Sequence, residues 1–140
     1  WNGQTLGEHG FSVAQHSLMV MSLVPATLQF QALLHDAAEA YLGDMVKPLK
    51  HLFPEFSVIE SRVIEIIGQR YAIDLSHLDP AIKRADLIAL ATEKRDLMPH
   101  STEAWSYLEG IEPLPVVIAP MDPQAAKSAF LDAFSTLWRG

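Results

Sequence analysis

Apolar residues return every three or four positions along most of this chain, and proline or glycine breaks that rhythm into helix-length segments. No run alternates apolar with polar residues, and no glycine-rich phosphate loop follows a strand-like stretch. The pattern predicts an all-α, single-domain helical bundle over residues 1–140, without internal repeats or a linker.

The segments are readable one by one. Ser12 to Val24 reads as a helix that begins after Gly10 and stops at Pro25, with Val13, Val20, Leu23 and Val24 at helical spacing. A second begins near Pro25 and runs through Leu28, Ala32, Leu33 and Ala37 to Leu42, where Gly43 ends it. Asp44 to Phe53 reads as a loop with a short helical turn. Glu55 to Ala72 carries the stripe Val58, Ile59, Val63, Ile66 and Ile67. Asp79-Pro80 and Asp122-Pro123 are cap-plus-proline starts, the first for a helix reaching about Leu97. The second opens a helix whose Phe130, Phe134 and Trp138 face is expected to be buried within the monomer, with a homodimer interface as its other use. Ser101 to Leu108 reads as a short helix capped by Ser101 or Thr102, and Glu112 to Pro123, with four prolines, as irregular.

Composition narrows the chemistry. With no cysteine among 140 residues, any metal must be held by histidine and carboxylate. The apolar runs stop well short of the roughly 20 residues that cross a bilayer, and no secretory signal is visible, so a cytoplasmic protein without membrane attachment is expected. The chain begins Trp1-Asn2-Gly3 without an initiator methionine, which suggests a segment ahead of it. A formal charge of −7 argues against nucleic acid as a partner, since that binding neutralises many backbone phosphates. A small phosphorylated ligand needs only a local cluster of cations.

Several polar residues break the apolar stripes. His16 follows Val13 by three positions and precedes Val20 by four, which turns it to the core side. Asp86 lies between Ile82 and Leu90 at four-residue spacing. His35 and Asp36 follow Ala32-Leu33-Leu34 directly, with Glu39 on the same side. A buried carboxylate is costly unless paired or bound to metal. Two imidazoles and two carboxylates from three helices suit one divalent ion, with Mn, Co, Zn, Mg and Fe not distinguished. Taken singly, each also fits a hydrogen-bonded core histidine or an aspartate paired with Arg84 or Arg95. His9, His51, His77 and His100 fall in loops or at helix ends and read as surface residues, His51 being the candidate for a second metal.

The order His16, His35-Asp36, Asp86 resembles the H…HD…D signature of the HD phosphohydrolase superfamily. Ser12-Val13-Ala14-Gln15-His16-Ser17 is similar to the helix of the first histidine. Ala32-Leu33-Leu34-His35-Asp36-Ala37-Ala38-Glu39-Ala40, followed by Gly43-Asp44, resembles the central motif, and Ile82-Lys83-Arg84-Ala85-Asp86 the last. The resemblance runs from about Trp1 to Arg95 and is nearest to small bacterial 5′-deoxynucleotidase-like proteins. It implies an HD-type helical domain with His16, His35, Asp36 and Asp86 as metal ligands, and with Glu39 and Asp44 as the acids that handle water and the scissile phosphate. The family's Arg-Trp pair at the nucleotide site is represented by Trp1 alone. Lys47, Lys50 and Lys83 are candidates for holding phosphate, and Trp1 for stacking on a base. The expected function is hydrolysis of a (deoxy)nucleoside 5′-monophosphate. A triphosphate hydrolase of the same fold and a non-catalytic metal-stabilised binding or sensor module remain open beside it.

Overall fold

A computed structural model describes residues 5, 10–99 and 105–138, and every regular element among them is helical. Helix α1 spans Val13–Ser22, with the Ser12 hydroxyl oxygen accepting the Gln15 N–H as its cap. A 3-10 turn at Ala26–Leu28 leads into α2, Gln29–Leu34. Then come α3 (Glu39–Leu42), α4 (Lys47–Leu52), α5 (Pro54–Tyr71), α6 (Pro80–Leu97) and α7 (Pro123–Leu137). Asp79 and Asp122 cap α6 and α7 as the sequence predicts, Asp79 accepting from Ala81 N–H and Asp122 from Gln124 and Ala125 N–H. No helix of the described residues is long and apolar enough to cross a membrane.

The single helix expected from Pro25 to Leu42 is divided. Residues 35–38 keep helical dihedrals at their ends but bond in tighter i→i−3 steps, Ala37 N–H to Leu34 O and Glu39 N–H to Asp36 O. The His35 ring explains the change, because its Nδ1–H donates to Ala32 O and occupies a carbonyl of the ladder. Gly43 stops α3 as expected, at φ 73°. The short helix expected over Ser101–Leu108 is present as a 3-10 turn at Ser106–Leu108, while Ser101 and Thr102 lie outside the described residues.

Two apolar clusters share α2. On one side Val20, Val24, Ala32, Ile82, Ala85 and Ala89 join α1, α2 and α6. The alanines of α6 let its backbone come close to α1. On the other side Leu34, Ile67 and Leu75 pack with Phe30, Tyr71, Phe130 and Phe134. Phe134 stacks against Phe30, Tyr71 and Trp138 at ring separations of 5.2–5.6 Å, so the aromatic face of α7 is used inside the monomer.

The stripe expected on α5 needs correction. Val63, Ile64 and Ile67 turn inward, whereas Val58, Ile59 and Ile66 are exposed, Ile66 by 64 %. Gly68 sets the orientation. After left-handed Ala72 the chain folds back, Ile73 N–H bonds Gly68 O at 2.9 Å, and a Cβ at Gly68 would sit 2.6 Å from Ile73 O. Only the glycine side of the helix can face that return.

The irregular segment 111–122 is tied down by side chains rather than by a ladder. Gln15 donates to Ala119 O and accepts from Met121 N–H, and Thr92 Oγ1 accepts from Leu114 N–H. Arg95, paired with Asp96 at 2.6 Å, donates to Leu114 O and Val116 O, while Asp96 accepts from Ile118 N–H.

Gly68→Ala should therefore destabilise the protein. The helix-propensity gain of about 1 kcal/mol is outweighed by a clash with backbone costing about 1–3 kcal/mol. Urea unfolding checks this, and a raised midpoint would contradict the close approach.

Candidate metal centre

Each helix delivers its polar residue for a local reason. On α1, His16 sits one turn before Val20 and shares its buried side with Ser17. His35 closes the apolar run of α2, and Asp36 begins the tightened turn. Asp86 and Glu93 are two turns apart on α6, on the side that carries Ile82, Ala85 and Ala89.

These placements bring the four expected residues together. His16 Nε2 is 3.3 Å from His35 Nε2, 3.5 Å from Asp36 Oδ2 and 3.2 Å from Asp86 Oδ1. His35 Nε2 is 3.2 Å from Asp36 Oδ2 and 4.0 Å from Asp86 Oδ1. The ligand atoms of His16, His35 and Asp86 all lie within 4.8 Å of one another and can hold a metal ion. Asp36 Oδ2 completes the ring from the side of both imidazoles. Neither Asp36 nor Asp86 is tied to the arginines considered from sequence, since Arg95 pairs with Asp96 and Arg84 is exposed.

The tautomers follow from the groups behind the rings. A carbonyl only accepts, so His35 Nδ1 carries the proton that bonds Ala32 O at 2.8 Å. His16 Nδ1–H donates to Glu93 Oε1 at 2.6 Å. Each neutral imidazole then presents its Nε2 lone pair inward. Two lone pairs and two carboxylate oxygens facing one another repel unless positive charge lies among them, and nitrogen plus oxygen donors in this number fit a divalent first-row ion.

The same concentration of carboxylate charge shapes the titration of these groups, drawing protons to the rings. Burial works to lower His16, but hydrogen bonds to Asp86 and Glu93 and the charges of Glu93 and Asp36 raise it well above 6.5. His35 is also raised, burial being outweighed by Asp36. Asp36 is lowered, because the histidines overcome the opposing effect of burial.

Beside the cluster lies a cavity of about 330 Å³ whose wall includes His35, Asp36, Glu39, Lys50 and Glu60. Burial and the charges of Asp36 and Asp44 push the Glu39 carboxyl up to about 7. Asp44 thus lies near enough to act on Glu39, although it does not line the cavity. Lys50 Nζ is held by Glu60 Oε1 at 2.7 Å. Lys83 is exposed on α6 away from the cavity wall, and His51 and His77 are exposed as expected. Lys47 belongs to α4, but its side chain is outside the described residues, as are Trp1, His9 and His100.

Two partners were not foreseen from sequence. Glu93, 2 % exposed, stands seven positions after Asp86 with Ala89 between them, a spacing that marks the same helix face. Glu60 reaches the cavity from α5 and gives no signal in the sequence, because it lies on the side of Val63, Ile64 and Ile67 and off the exposed Val58, Ile59 and Ile66.

No family model matches the chain. Over 130 residues, 92 % of the chain, it is 39 % identical to the uncharacterized protein YfdR of Escherichia coli (strain K12), of which 72 % is covered. It is 30 % identical to the uncharacterized protein RCAP_rcc00048 of Rhodobacter capsulatus, over 99 % of the chain and 79 % of that relative.

Two measurements follow from the site. Glu93→Gln removes the charge behind His16 and should weaken divalent-ion binding by about 10–100-fold, as read by metal titration, while the helical circular dichroism persists. In chelator-stripped protein, the raised histidines contribute stability that is full below pH 6.5 and lost as pH rises through their folded values. Lowered Asp36 contributes stability that is full above 3.8 and lost as pH falls through its folded value. Thermal melts should place the stability maximum between these limits, and a maximum above pH 8 would contradict the cluster.

Proposed function

We propose that this chain, which belongs to the family of the Escherichia coli protein YfdR, is an HD-type, metal-dependent phosphohydrolase that removes phosphate from a (deoxy)nucleoside 5′-monophosphate. The observation that carries the reading is the meeting of His16, His35, Asp36 and Asp86 at the edge of a cavity that also holds Glu39. His16, His35, Asp36 and Asp86 would hold the ion. A divalent ion there would supply Lewis acidity, the chemistry that makes water nucleophilic near neutral pH and polarises a phosphoryl oxygen.

The remaining chemistry belongs to side chains. Glu39, with a carboxyl near 7, is matched to accepting the proton that an attacking water gives up. Burial, with the charges of Asp36 and Asp44, keeps that carboxyl basic. Glu93 and the Ala32 carbonyl hold the two imidazoles in the tautomer that directs Nε2 at the centre. Among the described lining residues three carboxylates face one lysine, a balance that favours a single phosphoryl group over a triphosphate chain.

Phosphate release from nucleoside mono-, di- and triphosphates, screened with Mn, Co, Mg and Zn, tests the reading. Monophosphates should give orthophosphate, and Asp36→Ala should lose both the ion and activity. Glu39→Gln should keep the ion but lose about 10²–10⁴-fold in kcat. It should also lose an acid limb that, in the wild type, lies at or below about pH 7, since added positive charge only lowers Glu39. Metal binding with no phosphate released from any nucleotide would favour a binding or sensor module.

A further inference from the structure

Lys50 is the one lysine or arginine among the described residues lining the cavity, and it is not free to wave in solvent. Its Nζ is 2.7 Å from Glu60 Oε1, both side chains are about three-quarters buried at 26 % exposure, and Nζ lies over the Phe56 ring, 5.7 Å from its centroid. Lys50 comes from α4 and Glu60 from α5, so the pair joins two helices at a cavity wall that also carries His35, Asp36 and Glu39. The charge of Lys50 also reaches Asp36 and Glu39.

We propose that Lys50 is the seat for the substrate's phosphoryl oxygens and that Glu60 is its resting counter-ion, displaced when phosphate enters. This rests on the phosphohydrolase reading. An ammonium group has three donors, and Glu60 Oε1 takes one of them. A phosphate dianion offers more charge and more acceptor oxygens than one carboxylate, so it competes for the same lysine. Glu60 meanwhile keeps Lys50 from collapsing onto Asp36 or Glu39, where it would neutralise the acids that the chemistry needs. The two residues of one ion pair thus act on ligand binding with opposite sign.

That opposition is the test. Metal-loaded wild type, Lys50→Met and Glu60→Gln are titrated with inorganic orthophosphate by calorimetry, with metal content and melting temperature recorded for each. Lys50→Met should weaken phosphate binding by about tenfold or more, and Glu60→Gln should tighten it by about threefold. In hydrolysis assays Lys50→Met should raise KM more than it lowers kcat. A purely structural ion pair is broken equally by either substitution, so shifts of the same sign, no shift, or no phosphate binding by wild type would overturn the seat. Nucleotide hydrolysis without the opposed shifts sinks this inference alone. Opposed shifts without any hydrolysis keep the phosphate seat and remove the phosphohydrolase reading.

Discussion

Two imidazoles with Nε2 atoms 3.3 Å apart are the contact on which the rest of the site depends. Such an approach is unfavourable between bare lone pairs, so the surrounding protein must hold both rings from behind. It does so with unlike partners: a buried carboxylate for His16 and a main-chain carbonyl for His35. The carbonyl comes from within the same helix, and taking it out of the ladder is what tightens residues 35–38. That turn aims Asp36 at the cluster and starts α3 with Glu39 at the cavity wall. One side-chain bond thereby shapes the backbone that presents the next two acids.

Packing supplies the complementary constraint. Helix α2 is buried on two sides, with Ala32 in one cluster and Leu34 in the other, so its end cannot drift. Small residues on α6, Ala85 and Ala89, pack against Val20 of α1 and bring Asp86 and Glu93 near it. The centre is assembled from three helices that would each bury their apolar faces regardless, and its charged groups lie at the seam.

Much of this was legible in the chain. Helix starts at Asp79-Pro80 and Asp122-Pro123 depend on local chemistry, and they stand where the sequence puts them. His16 and Asp86 announced themselves by interrupting stripes of fixed period. What was not legible depended on contacts distant in sequence. The break in the helix after Leu34 required a ring bonding backward onto Ala32, and pattern alone does not show a side chain's target. The inward side of α5 was decided by the fold-back at Gly68, where the missing side chain matters more than the isoleucines around it. Glu60 and Glu93 take their roles from partners ten and 77 positions away, which no local pattern reveals.

The proline-rich segment 111–122 carries no group of the centre, yet Gln15 and Thr92, which anchor it, are the immediate neighbours of His16 and Glu93. Nearly every bond it receives goes to its main chain rather than to its side chains. Main-chain anchors are indifferent to residue identity but sensitive to spacing. Among relatives, substitutions should accumulate freely along this segment while its length stays fixed, because one inserted residue would slide every carbonyl off its donor and loosen two helices at once.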